Sequence, residues 1–340
     1  MFNFIYRRRS SKNISDCKEI APSDISKSQS ILFCIFSRYG DSMIALSGIL
    51  EFAQLYTRKS IAICTPPQLV PYIKEFLPDA TIIPFRKRNI FDFVRVTVFL
   101  YFKKIDIGLN PYSYGAESEF LISFCKKFLF FKQQKHVDNL YNGVRSYLRV
   151  PTNFDFREPQ KKLPDLKNPS IIIAPESSER QKSLSVENLK TLIHFLKDNF
   201  GNHSNIVIAS DGTNYDSIDC EKFYFTKTSR SSEGFLAILK KSDMLVSVDS
   251  GPLHIGILLK KPIIALFSTT HPEWILHHNN NIFIYRMGAM NGFHCENKVC
   301  QTHRCMNELL VDLANNFYVP LVSNHATRGN QCCYKDLDAI

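Results

Sequence analysis

Short runs of consecutive apolar residues recur along the chain, and each is followed by a turn and a stretch with helical spacing. The first run, 31–36, is typical of a strand buried on both faces of a parallel sheet, and a Gly-Asp turn and a helix over 42–55 are predicted after it. Further strands are predicted over 60–64, 81–84 and 105–109, with longer helices over 89–102 and 117–131. This alternation predicts a parallel sheet covered by helices on both faces.

The pattern restarts after a stretch rich in Pro and Lys at 163–169, which has the composition of a connector. Strands are predicted over 170–174, 205–209, 243–248 and 262–267, and helices over 186–199, 233–241 and 252–259. We therefore predict two doubly wound α/β domains with a cleft between them. The predicted division is a basic polar tail over 1–29, domains over 30–163 and 164–320, and a C-terminal tail over 321–340.

Composition and charge distinguish the two halves. The 340 residues are 44% hydrophobic and 22% charged, which excludes a mainly disordered chain. Residues 1–163 carry 25 Lys and Arg against 14 Asp and Glu, a net charge of +11, whereas the rest carries 17 against 18. A basic excess confined to one half indicates that this half meets an anionic partner.

The sequence contains no apolar run of the roughly 18 residues that a membrane-spanning helix needs. Arg95 interrupts the best candidate and Lys103 ends it. Three arginines follow a short apolar stub at the N-terminus, which does not fit a secretory signal. We therefore expect a cytoplasmic protein.

One cluster of cysteines has regular spacing. Cys295, Cys300 and Cys305 lie five positions apart, with His303 beside them, and three thiolates and one imidazole would complete a tetrahedral zinc shell. The alternative is a set of buried or paired thiols, because the spacing is wider than in a Cys-x-x-Cys knuckle. We favour the thiols and expect no metal.

The most informative motif is an apolar strand that runs through small residues into a helix. It comprises Asp249, Ser250, Gly251, Pro252, Leu253 and His254. Ser250 fits a helix N-cap, Gly251 allows close approach, and Pro252 suits a first helical turn. The backbone N–H groups of such a helix start bind phosphate or pyrophosphate, and His254 could donate from the first turn. Asp249 is expected to organise the turn. The alternative interpretation is a well-capped junction without a ligand.

Together with the residues after it, this motif carries a resemblance. The sequence here resembles glycosyltransferase family 9, the heptosyltransferases of lipopolysaccharide core synthesis. The resemblance rests on residues 249–254, followed by Lys261-Pro262, Thr269-Thr270, Pro272 and Trp274. The resemblance implies a GT-B architecture of two facing Rossmann-like domains. It also implies that the nucleotide-sugar binds in the C-terminal domain.

The resemblance assigns further site residues. Asp41, in Arg38-Tyr39-Gly40-Asp41 after the first strand, matches the catalytic base of the family, which takes the proton of the attacking hydroxyl. Ser177, Ser178 and Lys182 match the loop on the donor phosphates, and Asp216 matches a position that reaches the ribose. Judged without the resemblance, Asp41 would be a helix-capping carboxylate, and Lys182 a solvated surface lysine. The chain departs from the family at Ser47, where a Pro is usual, and at Leu184, where an aromatic residue is usual.

The basic residues of the N-terminal half cluster beside aromatic stretches. They are assigned as acceptor-facing or membrane-facing residues: Arg38, Arg86, Lys87, Arg88, Lys103 and Lys104. Such a surface suits anionic lipid headgroups, although a solvated basic face beside an ordinary core is the alternative. Nucleic acid is not expected as a partner, because the chain contains no helix-turn-helix, zinc-finger, RRM or KH signature.

These observations together predict an inverting glycosyltransferase. It would move a sugar, heptose, from ADP-heptose as nucleotide-sugar donor to a lipopolysaccharide-core or similar anionic glycolipid, without a required cofactor. Peripheral contact with the cytoplasmic face of the inner membrane is expected. The alternatives are a nucleotide-sugar epimerase or hydrolase of the same architecture, and a noncatalytic protein that binds sugar nucleotides or nucleic acid.

Overall fold

The computed structural model describes residues 20–113, 115–131, 140–150, 165–226, 228–268, 270, 272 and 282–286. The chain divides into two compact units, one formed by 1–154 and 226–236 and the other by 155–225 and 237–340. Each unit contains a sheet whose paired strands are all parallel, with helices between the strands along the chain. The predicted α/β class with two Rossmann-like units is confirmed.

Unit 1 contains a five-stranded sheet. Its strands are β1 (Ser30–Cys34), β2 (Ser60–Thr65), β3 (Thr81–Pro84), β4 (Ile107–Leu109) and β5 (Lys127–Leu129). Their order is β3-β2-β1-β4-β5. The helices are α1 (Pro22–Lys27), α2 (Tyr39–Leu55), α3 (Val70–Phe76), α4 (Ile90–Lys103), α5 (Ala116–Ile122) and α6 (Leu140–Leu148). The direction in which successive strands are added to the sheet reverses between β1 and β4. Helix α2 begins after the carboxyl end of β1.

Burial explains why the first strand was predictable. All residues of β1 after Ser30 are fully buried, as parallel strands covered on both faces are. Leu32 and Cys34 belong to the same core cluster as Val96 and Leu100 of α4. The sheet therefore fixes where α4 lies and which of its faces is buried.

Unit 2 contains a six-stranded sheet. Its strands are β6 (Ser170–Ala174), β7 (Asn205–Ser210), β8 (Glu221–Tyr224), β9 (Met244–Val248), β10 (Ile263–Phe267) and β11 (Ile282–Arg286). Their order is β11-β10-β9-β6-β7-β8. Counted within the unit, this is the Rossmann order, and the winding direction reverses between the adjacent strands β6 and β9. The helices are α7 (Val186–Phe200), α8 (Ser229–Lys241), whose first residues belong to unit 1, and α9 (Gly251–Leu258).

The predicted tail over 1–29 is wrong for its last residues. Ile20 and Ile25 are each 1% exposed, and Pro22 begins the short helix α1. The ammonium of Lys59 donates to the carbonyl of Ser28 at 2.6 Å. Two apolar residues in a polar stretch gave no periodic signal, but they suffice to anchor one and a half helical turns. Residues 1–19 and the predicted tail over 321–340 lie outside the described residues.

The predicted helix over 117–131 is also wrong in its second half. Helix α5 ends at Ile122, and the chain then forms the edge strand β5, in which Phe128 lies opposite Gly108. The Lys126 ammonium lies 2.7 Å from a carboxylate oxygen of Asp106. Pairing with β4 and this ion pair are tertiary interactions, and they override the helical pattern.

Helix α6 and strands β8 and β11 were not predicted. Strand β8 is short and half polar, so its hydrophobic pattern is weak. Helix α6 buries Tyr141, Val144 and Leu148 at the spacing of one helix face, and this signal was missed. No helix in the described ranges is long and apolar enough to cross a membrane.

Candidate active site

The winding reversal in unit 2 places two loops side by side. Ala174 at the end of β6 lies opposite Ser247 of β9, so the segments that follow both strands leave the same edge of the sheet. The first segment contains the short 3-10 helix Arg180–Lys182, and the second leads into α9. Ligands of open α/β sheets bind at such reversals. The structure therefore brings the predicted residues Lys182 and Asp249 to one place.

Lys182 and Asp249 form an ion pair. The ammonium of Lys182 lies 2.7 Å from Oδ2 of Asp249, and the two side chains are only 12% and 10% exposed. Glu179 provides a second carboxylate oxygen at 3.1 Å. Burial alone would lower the pKa of Lys182, but the charges and hydrogen bonds of Asp249 and Glu179 outweigh it and raise that pKa. Lys182 is therefore a fixed cation, and Asp249 orients its side chain.

Helix α9 starts beside this ion pair. Ser250 occupies the N-cap position with extended backbone, but its side chain makes no capping hydrogen bond and its hydroxyl lies 3.4 Å from that of Ser247. Pro252 lies in the first turn. A Cβ on Gly256 would lie 2.5 Å from Cδ2 of Leu245, so a larger residue would force the Leu245 side chain to shift where α9 packs on β9. The predicted helix start after a parallel strand is confirmed, while its role as a phosphate site stays a prediction.

Two residues of the motif are buried beneath the helix start. Leu253 is fully buried, so its side chain belongs to the core and only its backbone could face a ligand. His254 is 4% exposed. Burial lowers the pKa of His254 to about 4; Asp249 raises it and Lys182 lowers it further. His254 is therefore neutral at pH 7, and Lys182 supplies the positive charge.

The loop with Ser177 and Ser178 is braced by its own hydrogen bonds. The Ser177 amide donates to the Ser183 hydroxyl at 3.0 Å, and the Ser177 hydroxyl accepts from the Glu179 amide at 3.4 Å. Ser178 is exposed. At the carboxyl end of β10, the Ser268 hydroxyl donates to the carbonyl of Gln181 at 3.3 Å. These contacts fix the backbone of the loop that contains Lys182.

Asp216 lies on an exposed turn after β7. One of its carboxylate oxygens accepts a hydrogen bond of 2.7 Å from the hydroxyl of Tyr224 in β8. The assignment of Asp216 to the ribose stays a prediction. The carboxylate is accessible and oriented by Tyr224, which suits an acceptor of hydroxyl hydrogen bonds.

Sequence reasoning missed Glu176, which follows β6 and holds the loop after β7. Its carboxylate accepts from the Asp211 amide at 2.7 Å and from the Asn214 side-chain amide at 2.9 Å. Burial, and next the neighbouring Asp211, raise the pKa of Glu176, while its two accepted hydrogen bonds lower it. The sequence signal that could have indicated Glu176 is a carboxylate that follows directly after a buried strand and Pro175.

Asp41 belongs to unit 1, in the first turn of α2 after β1. The turn before it is held by two hydrogen bonds: the Ser42 amide donates to the Arg38 carbonyl at 2.9 Å, and the Ser42 hydroxyl donates to the Ser37 carbonyl at 3.2 Å. Asp41 is partly exposed. A carboxylate in the first turn is also favoured by the helix dipole, so the capping interpretation and the catalytic one share this geometry.

The remaining predicted residues flank one helix. Arg86, Lys87 and Arg88 precede α4, and Lys103 and Lys104 end it, all with exposed side chains. Arg86 also pairs with the buried Asp92 at 2.8 Å. The structure thus gathers five of the assigned basic residues at the two ends of α4.

The predicted cysteine cluster, with His303, lies outside the described residues. Among the described residues there is no group of three His, Cys, Asp or Glu side chains that could hold a metal ion.

Residues 228–305 match the family model "Glycosyltransferase family 9 (heptosyltransferase)". No curated protein matches the chain. Among solved structures, E. coli ADP-heptose lps heptosyltransferase II is 14% identical with a TM-score of 0.60, covering 83% of this chain and 99% of that chain. E. coli heptosyltransferase WaaC with ADP is 15% identical with a TM-score of 0.53, and the match covers 75% of this chain and 92% of that chain. A family 9 glycosyl transferase from Veillonella parvula is 14% identical with a TM-score of 0.56, and the match covers 84% of this chain and 97% of that chain.

Proposed function

We propose that this chain is a glycosyltransferase of the family 9 type, which transfers heptose from ADP-heptose, with inversion, to an anionic lipopolysaccharide-core or similar glycolipid. The family-model match of residues 228–305 and the similarity of fold support this proposal. The observation that carries the proposal is the Lys182–Asp249 ion pair at the winding reversal of unit 2. Asp249 and the start of α9 lie inside the matched residues 228–305.

The proposed donor site is built from charge and backbone. The diphosphate would lie against the start of α9, at Ser250, Gly251 and Pro252, where N–H groups and the helix dipole favour anions. The Lys182 ammonium would neutralise the leaving nucleotide as the glycosidic bond breaks. Ser177 and Ser178 would add hydroxyl donors from the facing loop, and Asp216 would accept from the ribose.

The adenine assignment rests on relatives. The WaaC structure of similar fold contains ADP, and heptosyltransferase II is named for ADP-heptose. A thermal-shift comparison of ADP, UDP and GDP tests this choice, because a ligand that binds only the folded state raises the melting temperature with its affinity. We expect ADP to give the largest shift.

The proposed chemistry needs a base on the acceptor side. The acceptor hydroxyl would attack the anomeric carbon on the face opposite the leaving diphosphate, while Asp41 takes its proton. The basic N-terminal half, +8 over residues 30–163 from 19 Lys and Arg against 11 Asp and Glu, suits an anionic acceptor. Arg38 would lie next to that acceptor. The predicted place of action, the cytoplasmic face of the inner membrane, would follow from a glycolipid acceptor.

The deciding experiment is an ADP-release assay with ADP-heptose, with and without heptose-deficient lipopolysaccharide as acceptor. We expect release that depends on the acceptor, with heptose added to the lipid. Release of equal rate without acceptor would indicate a hydrolase, and isomerised donor would indicate an epimerase. ADP-heptose binding without turnover would favour the noncatalytic alternative.

A further inference from the structure

Helix α4 carries a stripe of apolar side chains that face solvent. Its six members are between 48% and 81% exposed: Ile90, Phe91, Val94, Val98, Tyr101 and Phe102. Their spacing of three and four residues places them on one side of the helix. From Ile90 to Phe102 the stripe is about 18 Å long, at about 1.5 Å per residue.

The opposite side of α4 accounts for its packing in unit 1. Asp92, Val96 and Leu100 are buried, and the latter two belong to the core cluster beneath the sheet. The exposed stripe is therefore not needed for the core. Large aromatic side chains kept in water along a whole helix indicate an interaction surface rather than scattered exposed residues.

The charge around this stripe favours an anionic partner. Residues 85–104 contain six Lys and Arg and a single acidic residue, Asp92, which is buried and paired with Arg86. Arg88 stands before the helix, and Lys103 and Lys104 stand at its end, all exposed. An apolar stripe with cations at both ends complements a surface that is apolar inside and anionic at its rim.

We infer that α4 docks this protein on lipid bilayers with anionic headgroups and lies in the plane of the bilayer surface. The stripe would enter the boundary between headgroups and acyl chains, and Arg88, Lys103 and Lys104 would contact lipid phosphates. This docking needs neither the nucleotide-sugar nor the acceptor. It goes beyond the proposed transfer reaction, and its test can fail while that reaction stands.

The first test is flotation of the full-length protein with vesicles of phosphatidylcholine alone or with phosphatidylglycerol added, in the absence of any glycolipid acceptor. We expect at least about tenfold stronger binding to the anionic vesicles. The variant Phe91→Ser/Phe102→Ser should lose about tenfold or more of this binding, because the two exposed rings supply much of the inserted apolar area. Lys103→Glu/Lys104→Glu should weaken it similarly.

Matched controls separate docking from general effects. Leu55→Ser removes an exposed apolar side chain from α2, and Lys74→Glu reverses an exposed charge on α3. Both should leave vesicle binding unchanged, and the melting temperature of each variant shows that it folds. Equal losses in the α4 variants and in these controls would overturn the proposal.

The second test measures insertion at one position. Phe91→Trp introduces a reporter at the most exposed residue of the stripe, and Leu55→Trp is its control, with Trp274 of the unmodified chain as background. Brominated anionic lipids should quench the Phe91→Trp signal and leave that of Leu55→Trp near background. Absence of quenching at position 91 would overturn the proposal. Light scattering provides a further check. A dimer of the parent protein that the variant Phe91→Ser/Phe102→Ser dissociates would also overturn the proposal, because the stripe would then bind a second copy of the chain.

Discussion

Lys182 and Asp249 are 67 positions apart in the chain, yet Nζ of Lys182 lies 2.7 Å from Oδ2 of Asp249. The contact exists because β6 and β9 are neighbours, so the segments after both strands meet at one edge of the sheet. A buried lysine with two carboxylate neighbours keeps its charge, and the proposed diphosphate would bind beside this cation at the start of α9.

The Lys182–Asp249 pair should stabilise unit 2, because removing one partner leaves a buried charge without its counterpart. We expect Lys182→Met to lower the free energy of unfolding by about 1–3 kcal/mol. In a double-mutant cycle with Asp249→Asn, the double variant should lose less than the sum of the single variants. Denaturant unfolding of the four proteins measures this coupling. Additive losses would show that the pair contributes no coupling energy.

Asp41 should be needed for the reaction and not for the donor. Asp41→Asn keeps the size of the side chain and removes the base, so we expect kcat for sugar transfer to fall by about 10² to 10⁴. ADP affinity should stay unchanged. Asp79→Asn, at an exposed position of the same unit, is the control. Intact transfer by the Asp41 variant would assign Asp41 to helix capping alone.

His254 predicts how stability depends on pH. Its pKa is lowered to about 4 in the folded state from an ordinary value of 6.5, so the unfolded chain binds the proton more readily between these values. Stability from this group is present above pH 6.5 and is lost as the pH falls towards 4, by about 2 kcal/mol between pH 7 and 5. Comparing His254→Gln with the parent across this range isolates the effect, with exposed His194→Gln as control. Parallel pH curves for parent and His254→Gln would contradict the assignment.

The reaction is expected to proceed without a metal ion, since Lys182 and the start of α9 provide positive charge for the leaving diphosphate. Excess EDTA should change the rate of acceptor-dependent ADP release by less than about twofold. The measurement compares treated and untreated protein with the same substrates. A loss of activity that Mg²⁺ or Zn²⁺ restores would show that the charge comes from a metal.

Parts of this structure follow from local pattern, and others do not. The apolar runs at β1 and β6 predicted buried parallel strands correctly, because such strands are covered on both faces. The helix start at Ser250 was also predictable, from Gly251 and Pro252 after an apolar strand.

Contacts between distant segments were beyond local pattern. Strand β5 exists through pairing with β4, and α1 through two buried isoleucines, so neither gave a periodic signal. For the same reason Glu176 was missed: its role comes from the amides of Asp211 and Asn214 on the neighbouring strand's loop. Family resemblance assigned Lys182 to the donor, while strand order explains its contact with Asp249.

The central claim is that the Lys182 site of unit 2 binds the nucleotide diphosphate. Isothermal titration of ADP into the parent protein, Lys182→Met and the exposed-lysine control Lys190→Met tests it most directly. We predict that Lys182→Met binds ADP roughly 10- to 100-fold more weakly, as expected for loss of a charge-assisted contact, and that Lys190→Met binds like the parent. Equal ADP affinity for the parent and a folded Lys182→Met variant would contradict the claim.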